Sequence, residues 1–300
     1  MNLGHIMVED PTVVSMDAAL KRAVEELGID LTLTGGSGHG WSRSSTMQQC
    51  PHKYDQKYNK NKGGWENGIP PKALQIGGCF HAFMALYYQR EIDIDKGATP
   101  DEAVVEPGVL CDALLDYGAD PVLIGAAWQY FEGYANYYEA QGHDWFKPLA
   151  VEYRAKDPNG PDTCRYDLIA EVKDHPVVLP GTWIVEHKTA SRLDKGVTEG
   201  WHLDGEIVGQ CMIYKKARLA MKFGKLQGVI VNVIVKTKIP QFHREFVTPP
   251  MKSTRRQAKD LKVFRATKAI YESVGYWPRS LASCVGRYGF CEFFDACRDE

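Results

Sequence analysis

Two acids and a lysine fall close together around one short apolar segment of the sequence. Glu186 and Lys188 follow the run Trp183–Val185, and Asp167 lies in the preceding run Tyr166–Val172. Side chains alternate between the faces of a strand, so Glu186 and Lys188 share one face. Two carboxylates offer the oxygen ligands that Mg²⁺ or Mn²⁺ prefers, and a nearby ammonium can orient a water for attack on a phosphate. Charges that merely solvate a strand end fit the same pattern.

A β-hairpin is the element that must position these three side chains. Its first strand is the alternating run 166–172, its second is the apolar run that ends at Lys188, and a polar turn segment separates them. Further strands are predicted at 147–156 before the hairpin and at 226–236 and 241–247 after it, the last at an edge of the sheet.

Helical periodicity surrounds these strands in the sequence. The predicted helices span 12–27, 42–58 (interrupted at Pro51), 72–89, 100–116, 121–141, 201–223 and 251–274. Strands interleaved with helices indicate an α/β fold in which a central mixed sheet is flanked by helices. We expect residues 1–41 to form an N-terminal helix and a flexible loop, and residues 42–300 to form one domain with its core at about 145–250.

The overall composition excludes some functions. The 300 residues carry a formal net charge of −2, so no global basic field marks a nucleic-acid partner, and any such contact must rest on local patches. The longest apolar run, at 229–235, is too short to span a bilayer, and the N-terminus lacks the pattern of a signal peptide. We therefore expect an intracellular, cytoplasmic protein without a membrane partner.

Eight cysteines fall into two groups. Four stand alone in apolar or mixed surroundings and suit buried free thiols: Cys79, Cys111, Cys164 and Cys211. The other group combines one upstream cysteine with three near the C-terminus: Cys50, Cys284, Cys291 and Cys297. In a reducing compartment such a cluster is more typical of a metal or redox site than of a disulfide framework.

Further side chains complete an ordered pattern along the chain. In order, the residues are His81 on an apolar helix, Glu152 on a strand, Asp167, Glu186, Lys188, Gln210 and Tyr214. This order resembles the PD-(D/E)XK nuclease superfamily, and within it the RecB-like branch, from about Ser42 to Cys297. The stretch 42–54, with its serine-rich start, Cys-Pro and tyrosine, is similar to the N-terminal segment of that branch.

The resemblance implies roles for the matching side chains. Asp167 and Glu186 would bind the catalytic Mg²⁺ or Mn²⁺, and His81 would add a nitrogen ligand, although a lone histidine on an apolar helix is usually a satisfied core residue. Lys188 would assist the attacking water. Elementary chemistry agrees, because phosphodiester hydrolysis needs an activated water and a cation to stabilise charge on the phosphate.

Three more side chains of the pattern lie on the helix after the hairpin and on the strand before it. Gln210 and Tyr214 are four residues apart on one helix face, and the resemblance places them near the site and the DNA backbone. Glu152 fits either an acid of the site or a charge at a strand end. Where the superfamily name has Pro-Asp, this sequence has Tyr166-Asp167.

The second cysteine group carries a second resemblance. AddB and the CRISPR-adaptation exonucleases join their chain ends with a [4Fe–4S] cluster on one upstream and three C-terminal cysteines. Cys50 and Cys284-x6-Cys291-x5-Cys297 have that layout, with a longer first C-terminal gap than those families commonly use. Four thiolates suit [4Fe–4S] or Zn²⁺ alike, and thiols that hold no metal among aromatic core residues are the third alternative.

The resemblance implies a metal-dependent DNA exonuclease of recombination, repair or phage replication, in a bacterial cytosol or an infected cell. A structure-specific endonuclease and a catalytically silent DNA-binding protein are the alternatives. A helicase or recombinase partner and a homo-oligomer are compatible with the sequence, which decides neither. The cations expected on the DNA backbone are Lys215, Lys216, Arg218, Arg255, Arg256, Lys259 and Lys262. A solvated basic face explains the same residues.

Overall fold

The computed structural model of the chain describes residues 40–60, 72–99, 107–116, 119–141, 145–286 and 289–299. The helix predicted at 12–27, the glycine-rich loop after it and all but the first residue of the polar segment 60–71 lie outside these ranges. The predicted N-terminal region 1–41 is therefore described only from Gly40 onward.

Five strands form one mixed sheet whose spatial order follows the sequence order. They are β1 (Phe146–Lys156), β2 (Thr163–Val172), β3 (Gly181–Ala190), β4 (Leu226–Val235) and β5 (Gln241–Val247). Neighbours are antiparallel except β3 and β4, which run parallel. A parallel pair needs a crossover connection, which the helical segment between β3 and β4 supplies. The predicted strands and the edge position of the last one are confirmed.

Helices surround this sheet. They are α1 (Trp41–Gln49), α2 (Pro51–Tyr54), α3 (Lys72–Asp95), α4 (Pro107–Asp116), α5 (Pro121–Glu139), α6 (Lys195–Gly200), α7 (Gly205–Lys216), α8 (Ala220–Phe223), α9 (Met251–Val274) and α10 (Phe294–Asp299). A π-helical turn (Asp55–Asn59) extends α2, and short 3₁₀ turns lie at Trp201–Leu203 and Leu281–Ser283. Near the C-terminus β6 (Val285–Gly286) pairs with β7 (Gly289–Phe290). Within the described ranges, every helix is too short or too polar to cross a bilayer.

The single helix predicted at 201–223 is wrong, because that span holds a 3₁₀ turn, α7 and α8. Asp204 has an extended backbone, and its carboxylate accepts from the main-chain N–H groups of Glu206 and Ile207, so it begins α7 as an N-cap. After α7, Arg218 has a left-handed φ of 54°, which a continuing helix does not adopt. Capping and backbone conformation thus divide a segment whose helical pattern is continuous in the sequence.

Two apolar cores lie on opposite faces of the sheet. Leu168, Trp183 and Val185 pack with α3 and α5 on one face. Ile184 and Val231 pack with α7 on the other face. Each fully buried aliphatic or aromatic side chain of this kind contributes roughly 1.5–3 kcal/mol. The helix–sheet–helix arrangement confirms the predicted α/β class and holds β3 between two helical layers.

The N-terminal helices pack against the C-terminal segment. The main-chain N–H of His52 donates to the carbonyl of Pro278 at 3.1 Å. The Lys53 ammonium pairs with the buried Glu292 carboxylate at 3.0 Å. These contacts bring α2, and Cys50 directly before it, next to residues 278–297.

Candidate active site

β2 and β3 stop pairing where their acidic residues begin. Their register extends from the start of β3 to Leu168 opposite Val185. At the next position the Asp167 carboxylate, in place of a main-chain carbonyl, accepts the N–H of His187 at 2.9 Å. The Asp167 side-chain oxygen thus takes the place of a main-chain acceptor. The main-chain pairing of β2 and β3 ends at this level, and the two strands separate.

Glu152 lies opposite Asp167 and has a strained backbone conformation. Its φ of 47° is in the left-handed region, which costs a non-glycine residue about 1–3 kcal/mol. Val151 and Tyr153 flank it and would share one face of a regular strand, yet Val151 packs with the α3–α5 core and Tyr153 with the α7 core. The alternation of β1 therefore reverses at Glu152. Strain of this kind collects at functional sites.

His81 of α3 joins these two carboxylates. One ligand atom from each of His81, Glu152 and Asp167 lies within 4.8 Å of the others, and His81 Nδ1 is 3.4 Å from Asp167 Oδ2. Arg165 Nε lies 2.8 Å from Glu152 Oε2, off the line of a hydrogen bond. Both acids are buried, and buried negative charge needs a proton or a cation beside it. Two carboxylates and an imidazole are a donor set that fits a divalent cation.

Glu186 and Lys188 lie on the α7 face of β3, as strand alternation predicts. The Lys188 ammonium donates to Glu186 Oε1 and to Glu206 Oε2, both at 2.6 Å. Gln210 of α7 donates its amide to Glu186 Oε2 at 2.5 Å. Glu186 is held from two sides, and each of its oxygens keeps a lone pair for a cation. Glu206 was missed by the sequence analysis, although its spacing of four from Gln210 places both on one helix face.

The carboxylates of the site differ in how readily they ionise. Burial raises the pKa of Glu186 to about 8 and the pKa of Glu152 to about 7, and the negative charge of Asp167 adds to both shifts. For Asp167 burial acts in the same direction, but the His81 imidazolium outweighs it and holds the pKa of Asp167 well below its usual range. The same contact raises the pKa of His81 to about 9 against the effect of burial. Burial thus makes both glutamates harder to ionise, and a bound cation would favour their charged forms.

Lys188 stays an ammonium ion in this setting. Burial by itself lowers the pKa of Lys188, but the carboxylates of Glu186 and Glu206 outweigh that effect and raise the pKa above its usual range. An amine with so high a pKa donates hydrogen bonds and does not take up protons. Its available chemistry is to orient a water or a phosphate oxygen.

The fold and this group of side chains agree with one known family. The model of the PD-(D/E)XK nuclease superfamily matches residues 41–298, which is most of the chain. The chain belongs to the PD-(D/E)XK nuclease superfamily. A crystal structure from Eubacterium rectale named "Putative exonuclease" is similar over 100% of this chain and 94% of that chain, with 13% sequence identity and a TM-score of 0.48. None of the curated proteins matches the chain.

Membership of the PD-(D/E)XK superfamily allows the positions of these side chains to be compared with the superfamily's residue pattern. The sequence pattern matches the acids and the lysine of the superfamily name to Asp167, Glu186 and Lys188, and the structure places these residues where β2 and β3 separate. Their roles in catalysis stay a prediction. The sequence pattern left Glu152 open between a site acid and a strand-end charge, and its place beside Asp167 supports the first. The finer RecB-like assignment stays a prediction from the order of residues.

The face of β3 away from α7 carries a buried polar network at the level of the candidate site. Asn232 Nδ2 lies 2.9 Å from His187 Nδ1 and donates to the Tyr134 hydroxyl at 3.0 Å. Arg244 donates to the same hydroxyl at 2.7 Å, and Tyr88 stacks on the His187 ring with centroids 5.8 Å apart. Burial lowers the pKa of His187 to about 3, so its imidazole is neutral. The network ties β3 to β4, β5, α3 and α5.

Tyr214, predicted near the site, lies elsewhere in the PD-(D/E)XK domain. Its hydroxyl donates to the carbonyl of Gly224 at 2.9 Å. Thr182, at the start of β3, donates to the neighbouring carbonyl of Phe223. The start of β3 is separated from Glu186 by four strand residues, or about 13 Å. The structure therefore brings Gln210 to the carboxylates and leaves the Tyr214 hydroxyl away from them.

The predicted DNA-binding cations differ in their surroundings. Lys216 pairs with Asp157 at 2.6 Å and so holds the turn between β1 and β2 against α7. The other predicted cations are exposed: Lys215, Arg218, Arg255, Arg256, Lys259 and Lys262. Their contact with DNA stays a prediction.

The four cysteines of the second group line one small cavity between α2 and the C-terminal segment: Cys50, Cys284, Cys291 and Cys297. The thiol of Cys50 accepts the N–H of Lys53 at 3.4 Å and that of Ser280 at 3.5 Å. Of the first group, Cys79 and Cys211 are buried in the two cores, where burial raises their pKa values to about 11 and about 12. The four cysteines of the second group, which the sequence placed together, are therefore also close together in the structure.

Proposed function

We propose that this chain is a divalent-cation-dependent deoxyribonuclease that hydrolyses phosphodiester bonds at DNA ends. The observation that carries the proposal is the convergence of His81, Glu152 and Asp167 beside the Glu186–Lys188 pair, at the point where two strands separate. Membership of the PD-(D/E)XK superfamily supports the phosphodiester as the bond that is cut. Action at DNA ends, and a place in recombination, repair or phage replication, follow from the resemblance to the RecB-like branch.

The side chains of the candidate site would have separate roles in hydrolysis. Asp167, Glu152, Glu186 and His81 would hold Mg²⁺ or Mn²⁺, which when bound stabilises charge on the phosphate and lowers the pKa of a coordinated water. The Lys188 ammonium would donate to that water or to a phosphate oxygen. Gln210 keeps the Glu186 carboxylate in place through its amide.

The test is cleavage of end-labelled linear DNA in parallel with a covalently closed circle, with Mg²⁺, Mn²⁺ or EDTA. We expect cation-dependent loss of the linear DNA alone, abolished by Lys188→Ala. Cleavage of the circle would replace the exonuclease by an endonuclease. DNA binding without cleavage by the wild-type protein would contradict the enzyme and favour a silent DNA-binding protein.

We also propose a [4Fe–4S] cluster on Cys50, Cys284, Cys291 and Cys297. Four thiols around one cavity are a suitable donor set. Four thiolates suit Zn²⁺ as well, so zinc on the same cysteines is the alternative. The layout of one upstream and three C-terminal cysteines supports the iron–sulfur cluster through its resemblance to AddB and the CRISPR-adaptation exonucleases.

Anaerobic purification tests the cluster. We expect brown protein with broad absorbance near ~400 nm, as for thiolate-bound iron–sulfur centres. Cys291→Ser should remove the colour, whereas Cys164→Ser, outside the cavity, should retain it. Colourless wild-type protein with stoichiometric zinc would contradict the cluster.

A further inference from the structure

Lys188 lies between two carboxylates, and the superfamily pattern accounts for only one of them. Glu186 is the acid of the pattern, whereas Glu206 belongs to the first turn of α7. Each accepts from the ammonium at 2.6 Å. An ammonium has three N–H donors, so one remains for a water or a phosphate oxygen. The Lys188 side chain is 32% exposed, so a ligand can reach it.

The fold holds Glu206 in place. Asp204 accepts the N–H of Glu206 at 2.8 Å as the cap of α7. Gly205, directly before Glu206, lies so close to the Trp41 indole that a Cβ atom there would come within 2.0 Å of the ring. Gln257 of α9 donates to the Gly205 carbonyl at 3.4 Å. The cap, α1 and α9 therefore fix the backbone that presents this carboxylate to Lys188.

Glu206 contributes little to the stability of the fold. Its side chain is 41% exposed, and an ion pair exposed to this degree adds little to the free energy of unfolding. Its effect on Lys188 is larger, because it engages a second donor of the ammonium. Without Glu206 the ammonium has a single anionic neighbour, which is also a candidate cation ligand.

We infer that Glu206 is a positioning residue that holds the Lys188 ammonium between two carboxylates, so that its third N–H is directed to the reacting phosphate or water. The inference rests on the proposed nuclease function. Glu206 acts through Lys188 and contacts neither the DNA nor the cation. Its loss should therefore slow the chemical step and leave substrate binding unchanged.

The experiment compares the full-length wild-type protein with Glu206→Ala, Glu206→Gln and Glu199→Ala. Glu199 is a matched control, because its 3.4 Å pair with Lys195 lies on the surface of α6. We expect Glu206→Ala to lower kcat on linear DNA about 10- to 100-fold, the effect of misplacing a catalytic group by about 1 Å. KM, and DNA affinity in Ca²⁺ measured by fluorescence anisotropy, should change less than about twofold. Glu206→Gln keeps an oxygen acceptor and should recover most of kcat.

The outcomes separate this inference from the proposed function. If the wild type cleaves DNA, an unchanged kcat in Glu206→Ala overturns the inference, and so does a loss that falls on DNA affinity alone. If the wild type does not cleave DNA, the proposed function fails, and the inference that rests on it fails with it.

Discussion

Asp167 and His187 are joined by a hydrogen bond at the level where β2 and β3 separate. Asp167 Oδ2 accepts the N–H of His187 at 2.9 Å, and the same oxygen lies 3.4 Å from His81 Nδ1. One carboxylate oxygen therefore ends the strand ladder and belongs to the candidate cation site. The ladder requires only an acceptor oxygen, whereas a cation requires negative charge.

Substitutions of Asp167 should separate these two roles. We expect Asp167→Asn and Asp167→Ala both to lower DNA cleavage at least about 100-fold, because each removes a charged ligand. The asparagine oxygen can still accept from His187, whereas alanine leaves a buried N–H unsatisfied at a cost of about 1–3 kcal/mol. Chemical denaturation should therefore find Asp167→Ala less stable than Asp167→Asn by that amount. Equal stability of the two variants would contradict the structural role of the oxygen.

The metal-free protein should lose stability as the pH rises from about 5 to 9. Folding raises the pKa of Glu152 to about 7, of Glu186 to about 8 and of His81 to about 9, so the folded state binds more protons than the unfolded state over this range. Stability from these groups is complete below their unfolded values and is lost as the pH passes the folded ones. The lowered pKa of Asp167 acts in the opposite direction only at acidic pH. The lowered pKa of His187 also acts in the opposite direction up to about pH 7, but this single group does not cancel the two glutamates.

Cation binding should show the complementary dependence. Ca²⁺ has to displace protons from the carboxylates and from the His81 imidazolium, so its affinity should rise with pH by up to about tenfold per unit for each proton released. Thermal unfolding with EDTA or Ca²⁺ between pH 6 and 9 measures both effects, and Glu186→Gln should weaken both. A Ca²⁺-induced rise in unfolding temperature that is independent of pH would contradict the prediction.

Tyr214→Phe should affect stability more than cleavage. The hydroxyl donates to the carbonyl of Gly224 and lies away from the carboxylates, so its loss should cost about 1 kcal/mol in the free energy of unfolding. We expect kcat on linear DNA to remain within about twofold of the wild type, whereas Gln210→Ala, which frees Glu186, should lower it more. A large loss of kcat in Tyr214→Phe would instead place the hydroxyl in the reaction.

Asn232→Ala should destabilise the protein by about 2–4 kcal/mol. It leaves a small cavity and removes the partner of His187 Nδ1 and a donor to Tyr134 inside the sheet. Asn136→Ala, on the exposed face of α5, is the matched control and should change the free energy of unfolding by less than about 0.5 kcal/mol. Urea denaturation compares the two. Similar values would show that the buried network contributes no stability.

Two glycines of α7 should respond in opposite directions to alanine. A Cβ atom at Gly205 would meet the Trp41 indole at 2.0 Å, so Gly205→Ala must displace α1 and should cost about 1–3 kcal/mol. Gly209 has no neighbouring atom within 4 Å of such a Cβ atom in the described structure, so Gly209→Ala should add about 0.5–1 kcal/mol of helix stability. Thermal unfolding of both variants tests the packing of α1 on α7. A stabilising Gly205→Ala would contradict it.

Local patterns in the sequence were sufficient for most of the secondary structure. Alternation and short apolar runs predicted β1 to β5. Alternation also predicted the shared face of Glu186 and Lys188, because side-chain direction in a strand depends only on position along it. The helix at 251–274 begins and ends where its periodicity does. The span 201–223 differed, because the cap at Asp204 and the backbone of Arg218 divide a segment whose helical pattern is continuous in the sequence.

The sequence also determined the family and most of the residues that form the candidate site. The order of His81, Asp167, Glu186 and Lys188 along the chain is sufficient to recognise the PD-(D/E)XK pattern, and the family match agrees. The grouping of Cys50 with three C-terminal cysteines was likewise visible from spacing alone, and the four line one cavity.

Only the tertiary structure decided which side chains contact one another. Glu152 joins Asp167 because the chain of β1 takes a left-handed φ at that residue, and Glu206 reaches Lys188 because α1 and α9 hold the first turn of α7. Tyr214 is directed elsewhere, although its spacing from Gln210 places both on one helix face. Such contacts join residues distant in sequence and depend on backbone reversals and helix packing, which have no signature in the local pattern of residues.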